Sequence, residues 1–130
     1  MSQWTHVNAA IRFDTFLGRG VPTKELLGQM CRWEDEDTSH WENSILPCGS
    51  EGSIEYKIIV TGSEDSVANT VVIFTGDLRS YDDVEGILKY FTMITDGKMI
   101  RSGILEIYVE GKEALVYRYT DDNKWLLLNK

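Results

Sequence analysis

Apolar and polar residues alternate from Thr5 to Phe13. Val7, Ala9, Ile11 and Phe13 fall on one side, and His6, Asn8, Ala10 and Arg12 on the other, with Trp4 in line with the second set. A period of two with one apolar side predicts a half-buried strand. Two mid-chain runs, residues 53–62 and 70–76, are dense in β-branched and aromatic residues and bounded by turn formers, which predicts a hairpin. In its first strand Ile54, Tyr56, Ile58 and Val60 share a face opposite Glu55, Lys57, Ile59 and Thr61. In its second, Val71 and Ile73 oppose Val72 and Phe74, the pattern of a strand covered on both sides.

Helical spacing appears twice. Leu26, Leu27 and Met30 predict a helix from about Thr23 to Arg32, started at Pro22 or Thr23. Ser80-Tyr81-Asp82-Asp83 fits a capping box, and Val84, Ile87, Leu88, Phe91 and Ile94 form one buried stripe that ends at Asp96-Gly97. Residues 100–110 then alternate, Gly111-Lys112 turns, residues 113–120 alternate back, Asp121-Asp122-Asn123 turns again, and residues 124–129 read as a short last strand or a docked tail. The order β-α-β-β-α-β with one or two extra C-terminal strands predicts an α+β, ferredoxin-like split β-α-β fold. Two right-handed crossovers would lay both helices on one face of an antiparallel sheet and leave the other face open. The length of 130 residues predicts one domain, 1–130, with a long acidic loop at about 33–52.

That loop changes the picture most. It gathers Trp33, Glu34, Asp35, Glu36, Asp37, His40 and Trp41 in about twenty residues with little periodicity, and long irregular segments are often functional. Trp33 and Trp41 read as anchors of a binding loop, with Glu34, Asp35 and Asp37 as its charge and His40 among them; the alternative is a surface loop that lids one edge of the core. On the open side of the first strand, Trp4, His6, Asn8 and Arg12 make a contact row, extended by Tyr108 and either Tyr117 or Arg118, according to the parity of the last strands. Gly18-Arg19-Gly20 offers backbone N–H groups before a helix, with Arg19 or Arg12 to pair an anion, but neither the dinucleotide fingerprint nor the phosphate-loop pattern is present.

The net charge of −8 favours solubility and opposes binding to nucleic acid or anionic membranes; it suits a partner with a basic surface. The apolar fraction of 42% and charged fraction of 26% are those of an ordinary globular chain, and no run approaches the ~18 apolar residues of a membrane span. No export signal is visible at residues 1–6, and two cysteines do not make a disulfide scaffold, so a cytoplasmic protein with Cys31 and Cys48 reduced is expected. Cys31, His40 and Cys48 lack a CxxC clamp, and His6 joins them as a fourth ligand only if the open face of the first strand lies near the loop, so no metal and no cofactor is expected. No GxSxG, HExxH or kinase pattern is present, and no catalytic residue is assigned.

The opening Trp4-Thr5-His6-Val7 with Ile11-Arg12-Phe13-Asp14 resembles that of small, uncharacterised proteins encoded by phages and mobile elements, over about ten residues. The resemblance implies a phage accessory protein or inhibitor of a host system, and no catalytic residues. The combined expectation is a non-enzymatic acidic binding or regulatory protein acting through protein–protein contacts, with homo-oligomerisation through the sheet face as a variant. A small-molecule or nucleotide-binding domain and an enzyme of unnamed class are the alternatives.

Overall fold

A computed structural model describes residues 3–16, 20–28, 46–61 and 67–129. Six strands form one antiparallel sheet: β1 (Trp4–Phe16), β2 (Ile54–Thr61), β3 (Val67–Arg79), β4 (Ile100–Val109), β5 (Leu115–Tyr119) and β6 (Trp125–Leu127). Their order across the sheet is β2-β3-β1-β4-β5-β6. Among the described residues two helices accompany them, α1 (Lys24–Leu27) and α2 (Val84–Thr95).

The ferredoxin-like split β-α-β with two helices laid on the sheet is not what the chain forms. The fold is mostly antiparallel sheet, and its first helix is a single turn. The reason is local. Thr23 caps α1 by accepting from the Leu26 N–H, but Gly28 takes φ 95° and ends the helix after Leu27. The rest of the predicted helix, residues 29–32, lies outside the described residues. What remains of α1 is fastened from the other side: the Tyr90 hydroxyl donates to the Leu27 carbonyl at 2.6 Å and the Tyr56 hydroxyl to the Gly28 carbonyl at 2.8 Å.

Among the described residues one 12-residue helix supplies most of the helical cover. Asp83, and not Ser80, is the N-cap of α2, accepting from the Gly86 N–H at 2.9 Å. Ser80 instead sits in the turn that leaves β3, at φ 55°. Ile87, Tyr90, Phe91 and Ile94 are buried against the sheet. Phe91 meets Phe74 of β3, Tyr90 and Trp125 of β6 edge to face, with centroids 5.0, 5.1 and 6.1 Å apart. Beneath them lie Val7, Ala9, Ile11 and Phe13 of β1, Val72 and Leu78 of β3, and Leu105 and Ile107 of β4. The register makes this face continuous, with Ala9 opposite both Phe74 and Leu105, and Leu105 opposite Tyr117. Burial of that face is the main driving force for folding.

The segment 46–53 closes one end of the sheet. Leu46 is buried, Cys48 bridges to Ser53, and the Ser50 and Arg79 N–H groups donate to the carbonyls of Arg79 and Glu51. Cys48, expected as a reduced thiol, is disulfide-bonded, so no free thiol remains among the described residues. Its sulfur lies 3.3 Å from the Leu46 carbonyl oxygen, a contact without a proton to share.

Candidate functional site: the open face of the sheet

Side chains alternate across a strand, so burying the odd positions of β1 turns the even ones outward. The register carries this outward set across all six strands. Three rows matter. Asp77, His6 and Tyr108 form the first. Glu55, Thr75, Asn8, Glu106 and Val116 form the second. Lys57, Ile73, Ala10, Ile104, Arg118 and Leu126 form the third. Beyond the third row lie Val71, Arg12 and Ser102. Arg118, not Tyr117, faces outward, since Tyr117 pairs with Leu105 on the buried side.

The middle of this face is apolar and uncovered. Ile73 is 43%, Ile104 51% and Leu126 50% exposed. Single exposed apolar residues are ordinary, but Ile73 and Ile104 flank Ala10 in one register row, and Leu126 follows beyond Arg118.

At one end the charge is mostly acidic and locally ordered. His6 Nδ1 is 2.5 Å from Asp77 Oδ1 and His6 Nε2 is 3.2 Å from Glu110 Oε2. The imidazole stacks on Tyr108 with centroids 5.7 Å apart. Glu110 Oε1 in turn accepts from the Trp4 N–H at 3.1 Å. The hydrogen bonds to Asp77 and then Glu110 push the His6 pKa up, against a smaller opposing effect of burial. With the folded pKa above the unfolded value near 6.5, the pair's stabilisation is fully present below about pH 6.5. It is lost as pH rises through the folded pKa. The imidazole is 32% exposed and Asp77 67%, so screening holds the effect to about 1 kcal/mol or less. Urea melts of the wild type and His6→Gln against pH check this: the gap between them is expected to be widest in mild acid and to narrow in alkali, and a gap that widens with pH would contradict it.

At the other end arginines and carboxylates are mixed. A concavity of about 760 Å³ is lined by Arg12, Arg101 and Arg118 over a floor that includes Ala10, Val71 and Ile104. Arg101 Nε donates to Asp14 Oδ1 at 3.0 Å, and Asp121 and Asp122 reach the rim. Among the described residues no carboxylate pairs with Arg12, Arg118 or Lys57, and no cation pairs with Glu55 or Glu106. Among the described residues Glu106 accepts from the Asn8 amide at 3.3 Å.

The structure therefore brings Trp4, His6, Asn8 and Arg12 onto one strand side, as the alternation indicates. Trp4 lies at the border, opposite Arg79, which pairs with Glu51. Arg19, Trp33, Glu34, Asp35, Asp37, His40 and Trp41 lie outside the described residues. The sequence reading missed Glu106, Glu110, Ile73, Ile104 and Leu126. The alternation of β4 was the available signal; the pairing register that aligns it with β1 is nonlocal. Among the described residues no three His, Cys, Asp or Glu side chains converge on a metal position, and no helix is long and apolar enough to cross a membrane.

The chain matches no protein-family model, no curated protein and no solved structure.

Proposed function

We propose that this protein is a binding module that docks another protein on the open face of its sheet. The observation that carries the reading is the uncovered apolar run Ile73–Ala10–Ile104, with Leu126 beyond Arg118, set between an acidic end and an arginine-bearing end of mixed charge. An apolar centre within a polar rim is the anatomy of protein interfaces. The arginine concavity belongs to this surface. Arg101 is tied to Asp14, and carboxylates stand at its rim, so it suits a partner of mixed charge better than a free small anion. The sequence suggested a partner with a basic surface; the face itself calls for a partner that presents both signs. A role as a phage accessory protein or host-system inhibitor is compatible with such a module and rests on the N-terminal resemblance alone. The disulfide at Cys48 weighs against the cytoplasmic setting, because disulfides persist mainly in oxidising compartments.

The test is affinity capture from the source cell with wild type, Ile104→Asp and Met93→Asp as baits. Met93 is 44% exposed on α2, away from the open face, so it controls for surface change. Ile104→Asp is expected to weaken capture of the wild-type partner at least about tenfold, the effect of a charge in an apolar interface centre. Met93→Asp is expected to leave capture unchanged. Equal capture by all three would remove the reading.

A further inference from the structure

The distribution of charge on the open face points to a specific occupant, and we infer that it is a second copy of this chain, stacked face to face about a two-fold axis. This inference rests on the docking reading above and narrows it. Place the axis parallel to the register rows, between the row of Asn8 and the row of Ala10. The rotation keeps each strand over its own counterpart and exchanges the two rows. Glu55 then lies over Lys57 of the other copy, Thr75 over Ile73, and Asn8 over Ala10. Glu106 lies over Ile104 with Arg118 one strand away. Farther out, the Asp77–His6–Glu110 cluster, net acidic even with the imidazole protonated, meets the row that holds Arg12.

An interface about a two-fold axis must be self-complementary, with residue i meeting j and j meeting i. The charges of the open face meet that condition, Glu55 facing Lys57 and Glu106 lying one strand from Arg118. The five charges that the operation brings together, Glu55, Lys57, Glu106, Arg118 and Arg12, are ones that no ion pair among the described residues uses. Some seven residues in each of β1 to β4, with five in β5 and three in β6, at about 4.8 Å between strands and about 3.3 Å per residue give a footprint on the order of 600 Å² per copy. Two such faces total about 1,200 Å², the lower bound for a stable specific interface. Stacked sheets pack about 10 Å apart with strands near −30°, a geometry these rows allow.

A charge swap tests the register. One variant carries Glu55→Lys with Glu106→Arg; the other carries Lys57→Glu with Arg118→Glu. Each alone brings like charges together on both sides of the axis. Mixed, they restore every opposed pair. From a wild-type net charge of −8 both variants stay acidic, so bulk charge does not draw them together. In sedimentation velocity the wild type is expected to dimerise with rising concentration. Each variant alone is expected to lose at least about tenfold in dimer affinity, and the equimolar mixture to return to within about threefold of wild type. Recovery in the mixture also shows that both variants are folded. A wild type that stays monomeric into the millimolar range would overturn the second copy, while the docking reading keeps its own capture test. A wild-type dimer that both variants still form, or that the mixture does not restore, would overturn it as well.

Discussion

Phe91→Ala is expected to lower the unfolding free energy by about 3–5 kcal/mol, as truncation of a buried phenylalanine does. The ring is fully buried at the centre of α2 and meets Phe74, Tyr90 and Trp125 edge to face. Its loss opens a cavity between the helix and two strands, β3 and β6, at once. Because α1 is a single turn, no second long helix among the described residues shares that cover. Domains of this size are stable by roughly 5–15 kcal/mol, so the variant is expected to be at or near the edge of folding. Phe91→Leu keeps most of the volume and is expected to cost less than half as much. Chemical denaturation of the three proteins measures this. A loss below about 1 kcal/mol for the alanine variant would mean that α2 is not seated on the sheet as described.

The second large effect is expected at Gly52. It has φ 75°, in the left-handed region, and a Cβ there would overlap the carbonyl oxygen of Asp77. Neither can relax cheaply, because the segment is pinned on both sides: the Gly49 N–H donates to the Gly52 carbonyl at 2.9 Å, and the Arg79 N–H donates to Glu51 at 3.0 Å. Left-handed strain and overpacking together give about 2–4 kcal/mol for Gly52→Ala. Gly97 has a similar φ of 70°, but nothing lies within 4 Å of its would-be Cβ. Gly97→Ala should therefore cost only the conformational part, about 1 kcal/mol. The difference between the two isolates the clash with Asp77, and equal losses would contradict it.

The two glycines also show what was legible in the sequence. Asp96-Gly97 follows a helical stripe, and the stripe announces its own end. Gly52 sits in a segment whose shape is dictated by the end of β3, twenty-five positions later in the chain, and no local pattern reports that. The same division runs through the fold. The alternation at Val7, Ala9, Ile11 and Phe13 separates the two faces of β1, and the buried stripe of α2 was readable down to Phe91 and Ile94. The first helix was overestimated because Leu26, Leu27 and Met30 satisfy helical spacing while Gly28 breaks the backbone between them. Asp83 rather than Ser80 became the cap because β3 runs on to Arg79 and spends Ser80 on the turn. Gly103 was passed over entirely. A Cβ there would come within 2.9 Å of the Trp125 ring, so this glycine is what lets β6 fold its tryptophan back over β4 and against the core. On the candidate site, Trp4, His6, Asn8 and Arg12 were found because alternation is local; Glu106, Glu110 and Ile104 were not, because only the pairing of β1 with β4 sets them beside those residues.

The claim on which the functional account stands is that the uncovered side of the sheet is the surface that binds. Carbene footprinting of the chain alone and in its captured complex measures it residue by residue. Protection is expected at Ile73, Ile104, Tyr108 and Leu126, with labelling of Met93 and Met99 unchanged. Unaltered labelling of that row in a saturated complex, with protection elsewhere, would contradict the account.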